Sequence, residues 1–295
     1  MIKRTLYFGN PCYLSKKQSQ LSIELEDNVK KSVPIEDVGM IILDHYQIRI
    51  TSAALQALTG NNVAVLINDA SHLPLGLMLP MATNSTYTEK LKFQISASQP
   101  LKKNLWQQTV KKKILNQAAL LNELEIDTDR MRYWASQVRS GDPDNYEARA
   151  AAYYWKTIFD MEFKRGRNGD PPNNLLNYGY AVLRAVVARS LVASGMLPAL
   201  GIHHRNKYDA YCLADDVMEP YRPYVDWKVL TIMELDGFDG ELTPEIKRQI
   251  LQLPATDIII TGNNSPLMVG MQQTTASLMQ CFEGKSRKIV YPDFI

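Results

Sequence analysis

The sequence predicts an α+β protein, with a small N-terminal β-rich domain followed by a larger all-helical C-terminal domain. Three observations carry this. Short apolar runs separated by turn residues fill the first eighty positions. The small polar stretch Met-Ala-Thr-Asn-Ser-Thr at 81–86 breaks the pattern, and the charge composition shifts there. Beyond it, apolar residues recur at helical spacing over long segments. The expected organisation is a β domain at 1–80, a linker at 81–86 and a helical domain at 87–295.

The predicted strands are Thr5–Phe8, Leu21–Leu25, Val38–Leu43, Ile48–Ile50, Val63–Ile67 and Leu73–Leu79. Gly9-Asn10-Pro11, Asp27-Asn28 and Gly60-Asn61-Asn62 punctuate them. Leu21, Ile23 and Leu25 alternate with Ser22 and Glu24, the period of a half-buried strand. One helix interrupts the strands: Thr51 or Ser52 can cap it, Ala53–Leu58 form it, and Gly60 ends it. In the second domain, helices are predicted over Leu105–Leu124, Thr128–Val138, Tyr146–Phe159 and Asn173–Gly195.

Composition narrows the class. No apolar run approaches the length that spans a bilayer, and the N-terminus reads as no signal peptide. Cys12, Cys212 and Cys281 are odd in number and scattered, with neither disulfide nor zinc spacing, so a reducing cytoplasm is expected. The net charge of +2 hides an uneven distribution. Residues 1–83 are neutral, residues 84–200 carry a net +6 and residues 201–295 a net −4. A basic middle beside an acidic third suits either a polyanion surface next to a cation site or merely solvated helix faces.

Three segments of the helical domain can carry chemistry. In Asp144–Trp155 a carboxylate opens a helix of small and aromatic residues; Asp144 with Glu147 three residues on equally makes a capping box. In Gly201–Tyr208 two adjacent histidines follow an apolar helix, and neighbours do not share a helix face, so one at most enters a given site. In Leu213–Pro223, Asp216 and Glu219 share a face at a spacing of three. Such acids repel unless a cation sits between them, or unless the face is simply solvated. Two carboxylates and an imidazole suit Mg²⁺ or Mn²⁺ better than structural zinc. No Gly-x-Ser-x-Gly elbow, Walker loop or Gly-x-Gly-x-x-Gly turn competes.

These segments resemble the CRISPR-associated adaptation integrases, most closely their type II branch. The resemblance rests on Glu147-Ala148-Arg149-Ala150-Ala151, Gly201-Ile202-His203-His204 and the long segment Leu213–Pro223. Val38–Leu43, Ile48–Ala53, Val63–Ile67 and His72-Leu73-Pro74 look like the family's β domain. The resemblance implies metal ligands at Glu147, His204 and Glu219, which would also be the catalytic residues, with Asp216 beside the metal, either supporting a ligand or serving as an alternative one. His203 falls where the family varies. Ala152 departs from the family, in which many relatives carry arginine.

The activity implied is metal-dependent insertion of prespacer DNA into a CRISPR array, the prespacer 3′-hydroxyl attacking a phosphodiester at the repeat border. The partners implied are a second copy of the chain, with the β domain as the dimerisation unit, and a dimer of a small companion subunit flanked by two integrase dimers. Double-stranded DNA and, from the branch, the type II effector nuclease complete the set. The basic middle then supplies phosphate contacts. Lys111, Lys112, Lys113, Lys164, Arg165, Arg205 and Lys207 lead, with Lys102, Lys103, Arg139 and Arg167 behind them. Tyr153, Tyr154 and Trp155 serve either core packing or stacking on unpaired ends. Two other functions use the same residues: a stand-alone metal-dependent nuclease or repair phosphodiesterase, and a non-catalytic DNA-binding scaffold. The reading requires that Glu147, His204 and Glu219 fold close enough to share one ion.

Overall fold

In a computed structural model, residues 3–25, 29–70, 74–81, 85–159, 163–166, 169–236 and 238–294 are described. The N-terminal elements run β1 (Arg4–Phe8), β2 (Cys12–Lys17), β3 (Gln20–Leu25), β4 (Lys30–Pro34), β5 (Val38–Leu43), β6 (Arg49–Ile50), α1 (Ser52–Gly60), β7 (Ala64–Asn68) and β8 (Pro74–Met78). They form two four-stranded sheets, ordered β1-β5-β7-β8 and β4-β3-β2-β6. In the first, β5 pairs in parallel with β1 and β7, and β8 closes the edge antiparallel to β7.

The run Val-Gly-Met-Ile-Ile-Leu of β5 is apolar throughout because both of its faces are covered. Val38 and Ile41 pack with Leu14, Leu21 and Leu58 in a small core. Met40 and Ile42, with Ala64 and Leu66 of β7, belong to the large core shared with the helices. Thr51 caps α1, its hydroxyl accepting from the Ala54 N–H at 3.2 Å. The apolar pattern does not predict strands β2 and β4. Ser15, Lys16 and Lys17 in β2 and Lys30 and Lys31 in β4 give them a polar reading, and their backbone pairing with β3 places them. An edge strand such as β4 is commonly lysine-rich because its outer rim faces water.

The second half comprises α2 (Tyr87–Ser96), α3 (Gln99–Glu123), α4 (Asp129–Gln137), α5 (Tyr146–Ile158), α6 (Asn173–Ala193), α7 (Cys212–Met218), α8 (Arg222–Asp236), α9 (Pro244–Ile250), β9 (Asp257–Ile260), β10 (Asn263–Pro266) and α10 (Leu267–Phe282). The hairpin β9–β10 corrects the all-helical expectation. Thr261 and Gly262 both take positive φ, as a two-residue hairpin turn requires, beside the β-branched run Ile258–Ile260. The stretch α6 is buried almost all round, which explains its lack of a polar stripe.

Helix α3 is the other organising element, packing on α4, α5 and α8. The C-terminal tail straps it. Thr109 and Tyr291 hydroxyls meet at 2.8 Å, and Asn116 donates to the carbonyls of Pro220 (2.7 Å) and Pro292 (3.1 Å). Among the described residues no helix is long and apolar enough to cross a membrane. Of the sequence features above, Asp27-Asn28, His72-Leu73, Arg167 and the middle of the 81–86 linker lie outside the described residues.

Candidate active site

The three segments singled out in the sequence are gathered around one face of α3. Glu147 is the second residue of α5, and the way that helix begins leaves its side chain free to reach inward. Asp142 caps the helix, its Oδ1 accepting from the Tyr146 N–H at 3.0 Å and its Oδ2 from the Glu147 N–H at 2.9 Å. Asp144 instead grips Arg139, with contacts of 2.8–3.0 Å. The alternative capping box between Asp144 and Glu147 therefore does not form, and the Glu147 carboxylate reaches across to accept from Lys113 of α3.

Glu219 follows directly on α7, at the start of a single 3₁₀ turn whose Pro220 carbonyl is held by Asn116. Its side chain is 7% exposed and lies 2.6 Å from Lys113 Nζ through Oε2 and 3.0 Å from Arg222 Nε through Oε1. Burial opposes ionisation of Glu219, yet Arg222 and Lys113 outweigh it and hold the carboxyl at about 2. One buried ammonium thus bridges two carboxylates brought from opposite sides: Glu147 of α5 and Glu219 after α7. Although Lys113 is close to Glu219 Oε2, that oxygen has no aligned hydrogen bond and is sealed from water.

His204 is positioned by Asp216, which is wholly buried in α7. Asp216 Oδ2 accepts from the N–H groups of Ile202 (2.7 Å) and His203 (2.9 Å), and Oδ1 from the His204 N–H (3.2 Å). The same Oδ1 lies 2.6 Å from His204 Nδ1. A carboxylate only accepts, so Nδ1 carries a proton, and in the neutral ring Nε2 keeps its lone pair. This hydrogen bond, against the opposing effect of burial, raises the His204 pKa. Asp216 therefore acts on the histidine; its oxygens are already engaged. Gly201 is needed here because a Cβ would lie 2.3 Å from the His204 carbonyl oxygen and 2.8 Å from Asp216 Oδ2. His203 stacks flat on Trp106 of α3 with centroids 4.1 Å apart and planes 3° apart. Burial against that ring lowers its pKa.

Glu147 and Glu219 thus share the Lys113 ammonium, while Asp216 holds the His204 ring within electrostatic reach of Glu219. Among the described residues no three His, Cys, Asp or Glu side chains converge on a point that one ion would fill. The donor chemistry nevertheless fits a hard divalent cation: two carboxylates around a common point, a sealed Glu219 oxygen without an aligned donor, and an imidazole nitrogen left free by its neighbour.

The seven cations expected to meet DNA are differently placed. The three lysines of α3 do not share one surface. Lys113 is turned inward, Lys112 pairs with Asp293 and Lys111 is half-exposed. Lys113 therefore neutralises carboxylates and is no surface contact, a correction to its grouping with its neighbours. Arg165 is fixed by Asn173 (3.0 Å) and Asn177 (2.8 Å) over the Tyr180 ring. Lys164, Arg205 and Lys207 are exposed, and Arg205 and Lys207 join Lys102 and His204 around a cleft of about 490 Å³. The aromatics after Glu147 are packed: Tyr154 is buried and donates to Asp226 at 2.8 Å, and Trp155 stacks on Phe159. Ala152 is exposed on the helix face of Arg149, whose guanidinium lies over Tyr146. Sequence reasoning misses Asp142, Trp106, Asn116 and the inward role of Lys113; Arg222 lies within the Leu213–Pro223 segment, and its residue type there gives no sign of its role.

Comparison with known proteins places this architecture. A solved casposase bound to integration product superposes over 100% of this chain and 93% of its own, with a TM-score of 0.82 and 21% sequence identity. A CAS1 protein from Thermotoga maritima superposes over 96% of this chain and 98% of its own, at a TM-score of 0.77 and 16% identity. These likenesses define the fold. The sequence goes further: residues 6–243 match the family described as CRISPR associated protein Cas1. The CRISPR-associated endonuclease Cas1 of Neisseria meningitidis serogroup C (strain 8013) is 38% identical over 290 residues, covering 98% of this chain and 95% of that protein. The chain belongs to the Cas1 family.

Proposed function

We infer that this protein is a DNA integrase and endonuclease that inserts prespacer DNA into a CRISPR array, using a divalent cation held by Glu147, Glu219 and His204. The observation that carries the reading is the pair of carboxylates from α5 and the α7 turn meeting at the Lys113 ammonium, with a carboxylate-fixed imidazole within electrostatic reach of Glu219. The curated relative is named an endonuclease, and the solved casposase holds an integration product.

When bound, Mg²⁺ or Mn²⁺ would polarise the target phosphodiester and stabilise charge on the entering and leaving oxygens. The chain's own residues do the rest. Asp216 fixes the His204 tautomer so that Nε2 faces the site with a lone pair. Arg222 and Lys113 keep Glu219 ionised. The cleft lined by Lys102, Arg205 and Lys207 seats the target backbone by neutralising phosphates. In the reaction the prespacer 3′-hydroxyl gives up its proton to solvent as its oxygen forms a bond to phosphorus. The target strand's own 3′-oxygen–phosphorus bond breaks, and that oxygen leaves as a hydroxyl after taking a proton from solvent. No protein nucleophile is required.

The assembly that fits is a homodimer through the β domain, two dimers flanking a dimer of the small companion subunit. A neighbour solved as a Cas6-RT-Cas1–Cas2 complex, with a TM-score of 0.77, supports such a companion. The type II effector nuclease is proposed as a further partner in selecting prespacers, and the compartment as the bacterial cytoplasm.

The test is half-site integration of an end-labelled duplex into a repeat-bearing plasmid, with Glu219→Ala and Glu147→Ala as controls. Joining of the label in the wild type, lost by about a hundredfold or more in either variant, is expected. Cutting without joining would instead identify the stand-alone nuclease. Unchanged chemistry in both variants would leave a binding scaffold.

A further inference from the structure

Lys113 is placed oddly for a lysine in the basic stretch of the chain. It sits mid-helix in α3, 8% exposed, with its ammonium on both Glu147 and Glu219. A buried lysine is retained where it balances buried acids, and here the acids are those assigned to the cation. Arg222 supports Glu219 from the other side, but its contact is to Oε1. The oxygen beside the ammonium that also meets Glu147 is Oε2.

We propose that Lys113 is a built-in competitor for the divalent ion, its ammonium standing between Glu147 and Glu219 and having to leave that position for the ion to be held. This rests on the reading of Glu147 and Glu219 as ligands, and adds to it a residue that sets how tightly the ion binds. Two consequences follow from charge alone. With Lys113 in place, the metal-free protein has no pair of bare carboxylates facing each other, so the site stays assembled without its ion. The ion must also displace an existing ion pair, so its net affinity is the difference between two cations for one pair of acids. Removal of the ammonium raises affinity for the ion and lowers the stability of the ion-free protein. A lysine that merely packed against α5 would do neither. A lysine that helped to hold the ion would do the reverse.

The experiment measures Mn²⁺ binding to the full-length, DNA-free protein by electron paramagnetic resonance of the free ion, with thermal melts in chelator and in Mn²⁺. Wild type, Lys113→Met, Lys113→Gln and Glu219→Gln are compared. Lys113→Met is expected to bind Mn²⁺ about tenfold or more tightly than the wild type, and its melting temperature is expected to rise more on adding the ion. Lys113→Gln, which keeps a donor without the charge, shifts the same way and decides the matter if Lys113→Met does not fold. Equal or weaker binding by the lysine variants, with Glu219→Gln still abolishing it, overturns the role of Lys113 and leaves the ligand assignment standing. No Mn²⁺ binding by wild type or lysine variants overturns both.

Discussion

Replacing Asp216 by asparagine tests the positioning of the histidine without touching a proposed ligand. The carboxylate accepts four hydrogen bonds, three from consecutive backbone N–H groups at 202–204 and one from the His204 ring. An asparagine keeps one accepting oxygen and turns the other into a donor. If the oxygen stays with Ile202 and His203, the His204 N–H loses its acceptor, and the new NH₂ can only donate to Nδ1. The imidazole then carries its proton on Nε2 and presents no lone pair to the site. Hydrogen bonds to a charged group contribute about 1.5–3 kcal/mol each, and two disappear while one weaker bond replaces them. The expected destabilisation is about 3 kcal/mol, since Asp216 is fully buried and water cannot substitute. Urea unfolding reads this directly, and amide hydrogen exchange at 201–204 reads the loosened loop. Integration should fall by about ten- to a hundredfold, because the wrong tautomer faces the ion. A variant within about 0.5 kcal/mol of wild type, with a native exchange rate at 204 and full activity, would refute the account of Asp216.

Two further outcomes follow from charges elsewhere. Asp226 is buried between Tyr154 and Tyr180, whose hydroxyls donate to it at 2.8 and 2.5 Å. Burial pushes its pKa from 3.8 up to about 6 despite those hydroxyls and the arginines nearby. The folded protein therefore binds the extra proton more readily than the unfolded chain, so this group's contribution to stability falls as pH rises from about 4 to about 6. The loss is about 3 kcal/mol. Denaturation across that window should show a slope in the wild type that Asp226→Asn removes; parallel curves would contradict the raised pKa. On the surface, reversing Lys207 and Arg205 to glutamate should weaken DNA binding. The slope of log affinity against log salt should shrink by about one for each phosphate no longer neutralised. An unchanged slope would take the cleft beside His204 out of the DNA path.

Much of the fold is legible in the residues, and the omissions have physical causes. The strand β5 is plain because burial on both faces leaves a continuous apolar run, and α1 because its cap and its glycine stop bracket it. The acid and histidine segments are visible as local patterns of residue type. Strands β2 and β4 are hidden because polar residues dominate them, and the β9–β10 hairpin because three isoleucines in a helical context carry no period. The site's supporting residues are hidden for a different reason. Asp142 caps α5 only because Asn145 takes a left-handed turn at φ 54, which shifts the helix start past Asp144. Lys113 looks like its neighbours because a run of three lysines carries no sign of which one points inward; that depends on the rotation of α3, fixed by Val110, Ile114 and Gln117 in the core.

That rotation is what joins the pieces of the site. Trp106, Lys113 and Asn116 lie seven and three residues apart on α3, so they share a face over about 15 Å of helix. Trp106 receives His203, Lys113 receives Glu147 and Glu219, and Asn116 holds the Pro220 carbonyl and the C-terminal tail. The start of α5, the loop at 201–204 and the turn after α7 are thus registered against one rigid element. Each contact on its own is local: a stacked ring, a buried ion pair, an amide to a carbonyl. Because they are borne by one helix, a change in its rotation moves all of them together. The geometry of the acids is therefore set by core packing along α3, and a conservative volume change at Val110 or Ile114 bears on the site as directly as a change among the polar groups themselves.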